Sequence, residues 1–328
     1  MVAPDAHDNS SPSGRQHEIR LGDQVAVVTE VGATLRSYRL GTREVLDGFA
    51  ADARSDGGRG QILAPWPNRV RDGKWNLEGD GDRRTEPVEQ QLALSEAAKH
   101  NAIHGLVRWV SWELTSPDEH DGPADSSVAL TTTIWPQPGY PFRLALRATY
   151  RLGDDGLTVA LSARNDSASP APYGVGQHPY LSAGVAGSAQ VDDLHLTLPA
   201  RTRLLLDDRG VPVGQTAVEG TEHDFRTPRA VGGLVLDDGY GDLLPDPDGR
   251  VRVRLDIPGG PGTELWAEGS STRWLQVFSG DTLAPDRRRQ GLAVEPMSCP
   301  PNALASGVDL VMLAPGVEHL LSWGVRAW

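Results

Sequence analysis

The sequence predicts an all-β protein built from antiparallel strands. Two observations support this prediction: apolar and polar residues alternate with a period of two over many short segments, and Gly, Pro and Asp clusters separate those segments. Helical periodicity is nearly absent, since only residues 95–99 have a helix-forming composition and they are long enough for one or two turns. Many short strands joined by tight turns are typical of an antiparallel sandwich or barrel.

The clearest predicted strand covers residues 143–152, where apolar side chains fall on one face and three arginines on the other. That apolar face consists of Leu144, Leu146, Ala148, Tyr150 and Leu152. The same alternation or a β-branched run predicts further strands at residues 25–31, 127–134, 157–163, 194–198 and 251–257. Turn-forming residues at 153–156, 245–249 and 258–262 separate these strands.

Length and composition favour one large domain. The chain has 328 residues, no repeat of fixed period and no linker long enough to separate two cores. The first 15 residues are rich in Ser, Pro, Asp and Gly, which predicts a disordered tail at 1–15 and a single domain at 16–328. The longest predicted loops are residues 46–60 and 116–127.

The net charge and the cysteine content indicate which binding partners and which cellular compartment to expect. The formal net charge of −13 argues against nucleic acid and anionic membranes as partners. The single cysteine, Cys299, can form neither an internal disulfide nor a zinc site built on paired cysteines. Because no signal-like stretch and no 18-residue apolar run is present, we expect a soluble cytoplasmic protein. Nothing in the sequence predicts an oligomeric state.

Residues 63–70 form the first segment whose side chains could bind a ligand. Two prolines stiffen the backbone beside Trp66, and Asn68 and Arg69 then offer an amide and a guanidinium, which suit the binding of hydroxyl groups. The alternative, that Arg69 pairs with a surface acid, stays open at this stage.

Two histidines lie in glycine-bearing segments. Gly105 after His104 allows a close backbone approach and leaves the imidazole uncrowded. Pro179 forces His178 into an extended conformation, which aims its side chain reproducibly. A single histidine is more often structural than catalytic, but two in such segments favour a functional site.

Acidic residues provide the third kind of candidate. Glu295 interrupts an apolar strand just before a proline, where a carboxyl group is costly to bury without a purpose. A buried salt bridge to an arginine is the alternative. Asp237 and Asp238 lie in a segment, 236–240, that predicts a turn, and a solvated turn is the ordinary interpretation of such a pair.

In their order along the chain, these segments resemble the aldose 1-epimerase (galactose mutarotase) family. The resemblance rests on the Pro-aromatic-Pro-Asn-Arg motif at residues 65–69, Asn-x-x-His-Gly at 101–105, Gly-x-His-Pro-Tyr at 176–180 and Glu-Pro at 295–296. Residues 139–142 also fit, and the match covers nearly the whole chain after the tail. Several motifs in one order are far more specific than any short motif alone.

The resemblance implies a large antiparallel β-sandwich with an open sugar cleft and no cofactor. It also implies a general acid, His178, and a general base, Glu295. The implied ligands of the sugar oxygens are Asn68, Arg69, His104 and Asp237. Asp237 matches an Asp-x-x-aromatic pattern that ends at Tyr240, although the neighbouring Asp238 competes for the assignment.

The chemistry of anomer interconversion needs one base and one acid. The base removes the proton of the C1 hydroxyl, the acid protonates the ring oxygen, and the ring opens and closes on the other face. A glutamate with a pKa near 4.3 is ionised at neutral pH, and a histidine near 6.5 needs a modest upward shift, which a carboxylate-rich cleft is expected to supply. No metal, nucleophile or phosphate loop is required.

The resemblance indicates the reaction more narrowly than the substrate. Residues 295–303 resemble a bacterial branch of the family that includes enzymes for unusual or anionic sugars, so an aldohexose is expected without a specific assignment to galactose. A hexose-6-phosphate 1-epimerase is the alternative within the class, and its cationic pocket would draw on Arg69 and Arg108.

Two other classes of protein are alternatives to an epimerase. One is a metal enzyme with His104, His178 and Glu295 as ligands, but the sequence lacks the His-x-His pair that usually supplies two ligands from one strand. The other is a non-catalytic sugar-binding module that stacks sugars on some of its nine tryptophans.

Overall fold

The computed structural model describes residues 11–77, 86–115, 125–182 and 190–328, and nearly all of their regular structure is β-strand. The strands are β1 (Gln16–Leu21), β2 (Gln24–Thr29), β3 (Leu35–Leu40), β4 (Arg43–Glu44), β5 (Ile62–Leu63), β6 (Arg69–Arg71), β7 (Lys74–Leu77), β8 (Val88–Gln91), β9 (Asn101–Ile103), β10 (Glu113–Thr115), β11 (Ser127–Ile134), β12 (Leu144–Gly153), β13 (Gly156–Asn165), β14 (Ala171–Tyr173), β15 (Gly176–Gln177), β16 (Tyr180–Leu181), β17 (His195–Thr197), β18 (Ala200–Leu206), β19 (Pro212–Ala217), β20 (Arg229–Ala230), β21 (Asp237–Leu243), β22 (Arg250–Asp256), β23 (Gly262–Glu268), β24 (Trp274–Phe278), β25 (Leu292–Met297), β26 (Val311–Leu313) and β27 (Glu318–Ala327). Single turns of 3-10 helix cover Ala97–Lys99 and Val191–Asp193, and one α-helical turn, α1, covers Ala303–Ser306.

Two large sheets organise these strands. The first has nine strands in the order β10-β11-β12-β13-β27-β23-β22-β17-β20, and the second has eight, in the order β19-β18-β21-β24-β25-β15-β5 with β16 also paired to β25. Strands β1 to β4 form a separate sheet, and the pairs β6-β9, β7-β8 and β14-β26 complete the described structure. Every pairing between these strands is antiparallel, which confirms the predicted fold class.

A continuous apolar core joins the two large sheets. In β12 the predicted face, from Leu144 to Leu152, is buried at every second residue. This face and apolar residues of β13, β23, β24 and β25 belong to one cluster of buried side chains. The alternation predicted from the sequence therefore marks the side of the sheet that packs inward.

The eight-stranded sheet carries the acidic candidates. Glu295 lies in β25 opposite Gln276 of β24, and Asp237 begins β21 opposite Phe278. The prediction of a turn at 236–240 is wrong, because residues 237–243 pair with β18 on one side and β24 on the other. Pairing with strands distant in the sequence overrides the local turn preference of an Asp-Asp-Gly sequence.

Two of the motifs form one small antiparallel pair. In the pairing of β6 with β9, Arg69 is opposite Ile103, so that Asn68 and His104 lie beside each other at the end of the pair. Both residues have positive φ, 53° for Asn68 and 62° for His104. Gly105, at φ 69°, follows directly and packs against the backbone of Ala64, where a Cβ would lie 2.0 Å from the carbonyl oxygen.

The predicted tail at 1–15 is too long at its C-terminal end. Residues 11–15 form a turn on the fold: Ser13 is buried, and its carbonyl oxygen accepts from the N–H of Val31 at 3.0 Å. Backbone and side-chain hydrogen bonds hold these residues on the fold. Residues 1–10 lie outside the described residues, as do residues 116–124 of the predicted loop at 116–127. The described helices are all too short to cross a membrane.

Candidate active site

A cleft of about 560 Å³ opens at one end of the eight-stranded sheet. It lies where β21 and β25 meet the end of the β6–β9 pair and the loop that precedes β5. All six residues that the sequence predicts for the site line this cleft: Asn68, Arg69, His104, His178, Asp237 and Glu295. Segments far apart in the sequence thus converge on one cavity of the size that suits a small ligand.

His178 and Glu295 form a buried pair at the base of the cleft. The Nε2 atom of His178 lies 3.2 Å from Oε1 of Glu295, and the two side chains are 5% and 2% exposed. The second carboxyl oxygen, Oε2, and the other ring nitrogen, Nδ1, have no hydrogen-bond partner in the described residues. The sequence left open a salt bridge between Glu295 and an arginine, and the side chain that lies against Glu295 is instead His178.

The backbone around His178 is held on both sides. Its N–H donates to the carbonyl of Gln61 at 3.1 Å, and its own carbonyl accepts from the N–H of Gly60 at 2.8 Å. The preceding residue, Gln177, is buried and donates to the hydroxyl of Tyr150 at 2.9 Å, while it accepts from the indole of Trp323 at 3.0 Å. These core contacts fix the strand end from which the imidazole projects.

Burial favours the protonated form of Glu295. Loss of water, reinforced by the negative charge of Asp237, raises the pKa of Glu295 well above its usual range, and Arg69 opposes this shift. Burial thus shifts Glu295 toward its protonated, uncharged form.

Burial shifts the pKa of His178 in the opposite direction and favours the neutral imidazole. Loss of water, followed by the positive charges of Arg59 and Arg108, lowers the pKa of His178 to about 3. The expectation from the sequence, an upward shift supplied by carboxylates, is wrong. The sequence revealed the acids near His178, but it did not reveal that the imidazole is fully buried and faces cations as well.

His104 is a neutral hydrogen-bond donor. Its Nδ1 accepts from the backbone N–H of Asn68 at 3.1 Å, so a neutral ring carries its hydrogen on Nε2. Burial, followed by the charges of Arg108, His178 and Arg69, lowers the pKa of His104 well below its usual value. Its ring meets that of His178 edge-on at 5.6 Å.

Arg69 is an ion-paired residue that also lines the cleft. Its Nε and Nη2 donate to the carboxylate of Glu96 at 2.9 and 3.0 Å, and its Nη1 lies 3.8 Å from Oδ2 of Asp237. Asn68 accepts the N–H of Arg69 through its side-chain oxygen at 2.9 Å, which leaves its amide nitrogen as a free donor group. The pairing of Arg69 with an acid, left open by the sequence, is thus combined with a position in the cleft.

Asp237 and Asp238 point to opposite sides of β21. The side chain of Asp237 is 41% exposed in the cleft, and its Oδ1 accepts from Nε2 of Gln276 at 2.8 Å. Asp238 is buried on the other face, where Arg203 donates to it at 2.8 Å. The period of two along a strand separates the neighbours, and only Asp237 faces the cleft.

We expect Asp237→Asn to change substrate binding and Asp238→Asn to change stability. Asp237→Asn should raise KM for the sugar by about 10- to 100-fold, since a hydrogen bond to a charged group contributes about 1.5–3 kcal/mol. Asp238→Asn should instead lower the free energy of unfolding by about 1–3 kcal/mol, because Arg203 loses its buried partner. Steady-state kinetics and thermal denaturation of both variants test this. The same KM increase in both variants would contradict it.

The sequence did not point to several residues that line the cleft or contact the side chains in it. Glu96 holds Arg69, Gln276 holds Asp237, and Arg59 packs on Tyr180, whose ring stacks on His178. Trp109 is 50% exposed at the cleft and lies near Arg54 and Arg108. Two sequence features could have pointed to these residues. Arg59 lies among the glycines of residues 57–60 in a predicted loop, and Glu96 lies in residues 95–99, the one stretch with helical composition.

The geometry of the two histidines does not favour the alternative of a metal site. Within the part of the chain that the structure describes, no group of three or more His, Cys, Asp or Glu side chains is placed to hold a metal ion. His104 uses Nδ1 for a backbone hydrogen bond, and its ring meets His178 by an edge instead of sharing a common ligand position.

Two large antiparallel sheets with a buried histidine–glutamate pair, set in a cleft of hydrogen-bonding side chains, are typical of an enzyme that acts on a small polar molecule. The family model for aldose 1-epimerase matches residues 16–323. The chain belongs to the aldose 1-epimerase family, which confirms the family and the isomerase class predicted from the motifs.

Individual relatives agree with this membership. The chain is 31% identical over 325 residues to Uncharacterized protein YihR of Escherichia coli K12, covering 97% of this chain and 94% of that protein. Human galactose mutarotase is 27% identical over 176 residues, 53% of this chain and 46% of its own length. Among solved structures, an aldose epimerase homologue from C. elegans has a TM-score of 0.80 at 17% identity, over 96% of this chain and 98% of that one. Galactose 1-epimerase from Lactobacillus acidophilus has a TM-score of 0.74 at 19% identity, over 95% and 94%.

Proposed function

We propose that this chain interconverts the α and β anomers of an aldohexose, with Glu295 as general base and His178 as general acid. The observation that carries the proposal is the 3.2 Å separation between His178 Nε2 and Glu295 Oε1 in a polar cleft. The C1 hydroxyl and the ring oxygen are bonded to the same carbon. An acid and a base that serve these two oxygens must therefore lie next to each other, as these two groups do.

The reaction conserves protons within the pair. Glu295 accepts the proton of the C1 hydroxyl, His178 gives a proton to the ring oxygen, and the C1–ring oxygen bond breaks to leave an open-chain aldehyde. Rotation about the C1–C2 bond presents the other face of the carbonyl. The former ring oxygen then attacks C1, returns its proton to His178, and C1 oxygen takes the proton back from Glu295. Acid–base assistance of this kind contributes about 10²–10⁴-fold.

The pKa directions at the pair are compatible with these roles. A protonated Glu295 beside a neutral His178 contains as many protons as a carboxylate beside an imidazolium. Transfer of one proton across 3.2 Å converts the first state into the second without uptake from solvent. Sugar hydroxyls that donate to the carboxylate would favour the ionised state, and the pair then titrates as a unit with two apparent pKa values.

The remaining cleft residues supply the binding interactions. His104 Nε2, the amide of Asn68 and the guanidinium of Arg69 are donors to sugar oxygens, and the Asp237 carboxylate accepts from sugar hydroxyls. None of these steps calls on a cofactor. Cys299 is buried and is the one cysteine of the sequence, which supports our proposal of a cytoplasmic location.

Polarimetry tests the proposed reaction directly. Freshly dissolved α-D-glucose and α-D-galactose should lose optical rotation faster with the protein than without it, at a rate proportional to protein concentration and insensitive to chelator. Failure to accelerate any aldohexose would overturn the proposal, and binding without turnover would instead support the sugar-binding module.

A second candidate substrate is a sugar with an anionic group, such as a hexose 6-phosphate. Besides the ion-paired Arg69, three cations line the cleft, Arg54, Lys99 and Arg108, and none of these three forms an ion pair with an acid of the described residues. Burial lowers the pKa of Arg108 to about 10, so it remains charged at neutral pH, and its buried Nε has no hydrogen-bond partner in the described residues. Cations without acidic partners suit an anionic ligand.

The variant Arg108→Gln tests this candidate. If the cations bind a phosphate, the ratio of kcat/KM for glucose 6-phosphate to kcat/KM for glucose should exceed one in the wild type and fall about tenfold in Arg108→Gln, as expected when a charge-assisted hydrogen bond is lost. Arg143→Gln, at an exposed arginine against Trp135 outside the cleft, makes the same change in net charge and serves as the control. An equal fall in both variants, or a wild-type ratio below one, would decide against an anionic substrate.

A further inference from the structure

Behind the catalytic histidine lies a column of three planar groups, Arg59, Tyr180 and His178, which we call the stacked column. The rings of Tyr180 and His178 are nearly parallel, at 13°, with their centroids 5.0 Å apart. The guanidinium carbon of Arg59 lies over the same phenol, 4.0 Å from the ring centroid. The column thus places a positive charge one aromatic ring away from the imidazole.

Arg59 is held in the column by two acids. Its side chain is only 1% exposed, and its Nη1 donates to Oδ2 of Asp47 at 2.6 Å and to the carbonyl of the same residue at 3.0 Å. Its Nε donates to Oδ1 of Asp56 at 3.2 Å. Donors that lie in the plane of the guanidinium fix that plane, so the flat face is left for the phenol of Tyr180.

The imidazole is confined on its other side by a glycine. A Cβ built at Gly58, which has φ of +78°, would lie 2.7 Å from Cδ2 of His178. The hydroxyl of Tyr180 donates to the carbonyl of Gly57 at 2.8 Å, which ties the phenol to the same loop. The ring of His178 is therefore enclosed between the loop and the phenol, with Nε2 directed at Glu295.

The charges around His178 come from several elements. Glu295 of β25 contacts it directly, His104 meets it edge-on, and Tyr180 stacks on it. The cations near it are Arg59, through the phenol, and Arg108. After burial itself, Arg59 makes the largest contribution to the lowered pKa of His178. A nearby cation disfavours an imidazolium and makes it release its proton more readily.

We propose that Arg59 is a positioning residue: acting through the ring of Tyr180, it fixes the orientation of the His178 imidazole and makes it a readier proton donor to the ring oxygen. This inference rests on the proposed role of His178 as the acid. Arg59 itself touches no substrate atom in this scheme, because the phenol of Tyr180 separates it from the imidazole.

The pH dependence of kcat/KM distinguishes this role from a merely structural one. In Arg59→Gln, loss of the cation should let the His178–Glu295 pair bind its protons more tightly, so both limbs of the pH profile should move to higher pH by about one unit, and kcat should fall about tenfold. Arg59→Lys retains the charge and should return the limbs to within about 0.3 units of the wild-type values while kcat stays low, because an ammonium lacks the planar face.

The variant Asp47→Asn leaves Arg59 in place and should shift the pH profile in the opposite direction. Removal of one acid leaves the cation less neutralised, so the limbs should move to lower pH. This variant keeps the inference testable if Arg59→Gln does not fold, since Asp56 still binds the guanidinium.

Three outcomes distinguish the proposed role of Arg59 from the proposed role of His178 as the acid. Limbs that stay at the wild-type pH in both Arg59→Gln and Asp47→Asn, while His178→Gln is inactive, would overturn the role of Arg59 alone. If His178→Gln retained wild-type activity, the proposed acid itself would be wrong. Shifts of opposite sign in Arg59→Gln and Asp47→Asn would support the inference.

Discussion

Glu295→Gln should lower kcat for mutarotation by about 10²–10⁴-fold and leave sugar affinity within a few fold of the wild-type value. The amide keeps an oxygen that accepts from a sugar hydroxyl, but it cannot take up the C1 proton. Polarimetry measures the first quantity and calorimetric titration of the sugar measures the second. Activity within tenfold of the wild type would show that Glu295 is not the base.

The same variant should be more stable than the wild type at neutral pH. Burial raises the folded-state pKa of Glu295 above its unfolded value, so its contribution to stability is present below about pH 4.5 and is lost as pH rises through the folded-state pKa. A glutamine carries no such penalty. We expect a melting temperature about 2–4 °C above that of the wild type at pH 7.5, and a smaller difference at pH 4.5.

Glu264→Gln is the matched control for this prediction. Glu264 is also 2% exposed, but it lies in β23 of the nine-stranded sheet and pairs with Arg254 at 2.8 Å and Arg326 at 2.9 Å. Its replacement leaves arginines without a partner and should lower the melting temperature, with kcat of the folded enzyme within about twofold of the wild type. A higher melting temperature in both variants would indicate a general effect of removing negative charge.

His178→Gln should lower kcat by a similar factor of about 10²–10⁴, because the ring oxygen loses its proton donor. The double variant with Glu295→Gln should be hardly slower than either single variant, since the two groups act as one proton-transfer unit. Losses that multiply in the double variant would indicate that the two residues act independently.

His178→Gln should also make the fold less sensitive to acid. The folded-state pKa of His178, about 3, lies below its unfolded value, so its contribution to stability is present above about pH 6.5 and is lost as pH falls toward the folded-state value. The decrease in melting temperature between pH 7.5 and pH 5 should therefore be smaller in the variant. His104 is unchanged and retains its own share of the acid sensitivity. Identical decreases in the two proteins would contradict the burial argument.

The sequence was sufficient for the fold class and for six of the residues that line the cleft. Alternation in residues 143–152 marked the buried face of β12, and four short motifs named side chains that the fold brings to one cavity. These features are local, and a strand or a motif can be recognised within a few residues.

What the sequence did not reveal depends on contacts between distant segments. Asp237 and Asp238 could not be ranked until β21 had neighbours on both sides that defined which face meets the cleft. The direction of the pKa shift at His178 depends on solvent exposure and on Arg59, which lies far from it in the sequence. Likewise, the partner of Arg69 became known only when the β6–β9 pair brought Glu96 beside it.

The strand order of the eight-stranded sheet has a consequence for folding kinetics. The cleft needs β5, β15, β21, β24 and β25, which come from most of the length of the chain, to be paired together. Closure of such long loops is entropically costly, and proteins of high contact order fold slowly. The pair of His178 and Glu295 therefore cannot assemble in a chain that has formed only its local hairpins, and recovery of activity after refolding should require these long-range pairings.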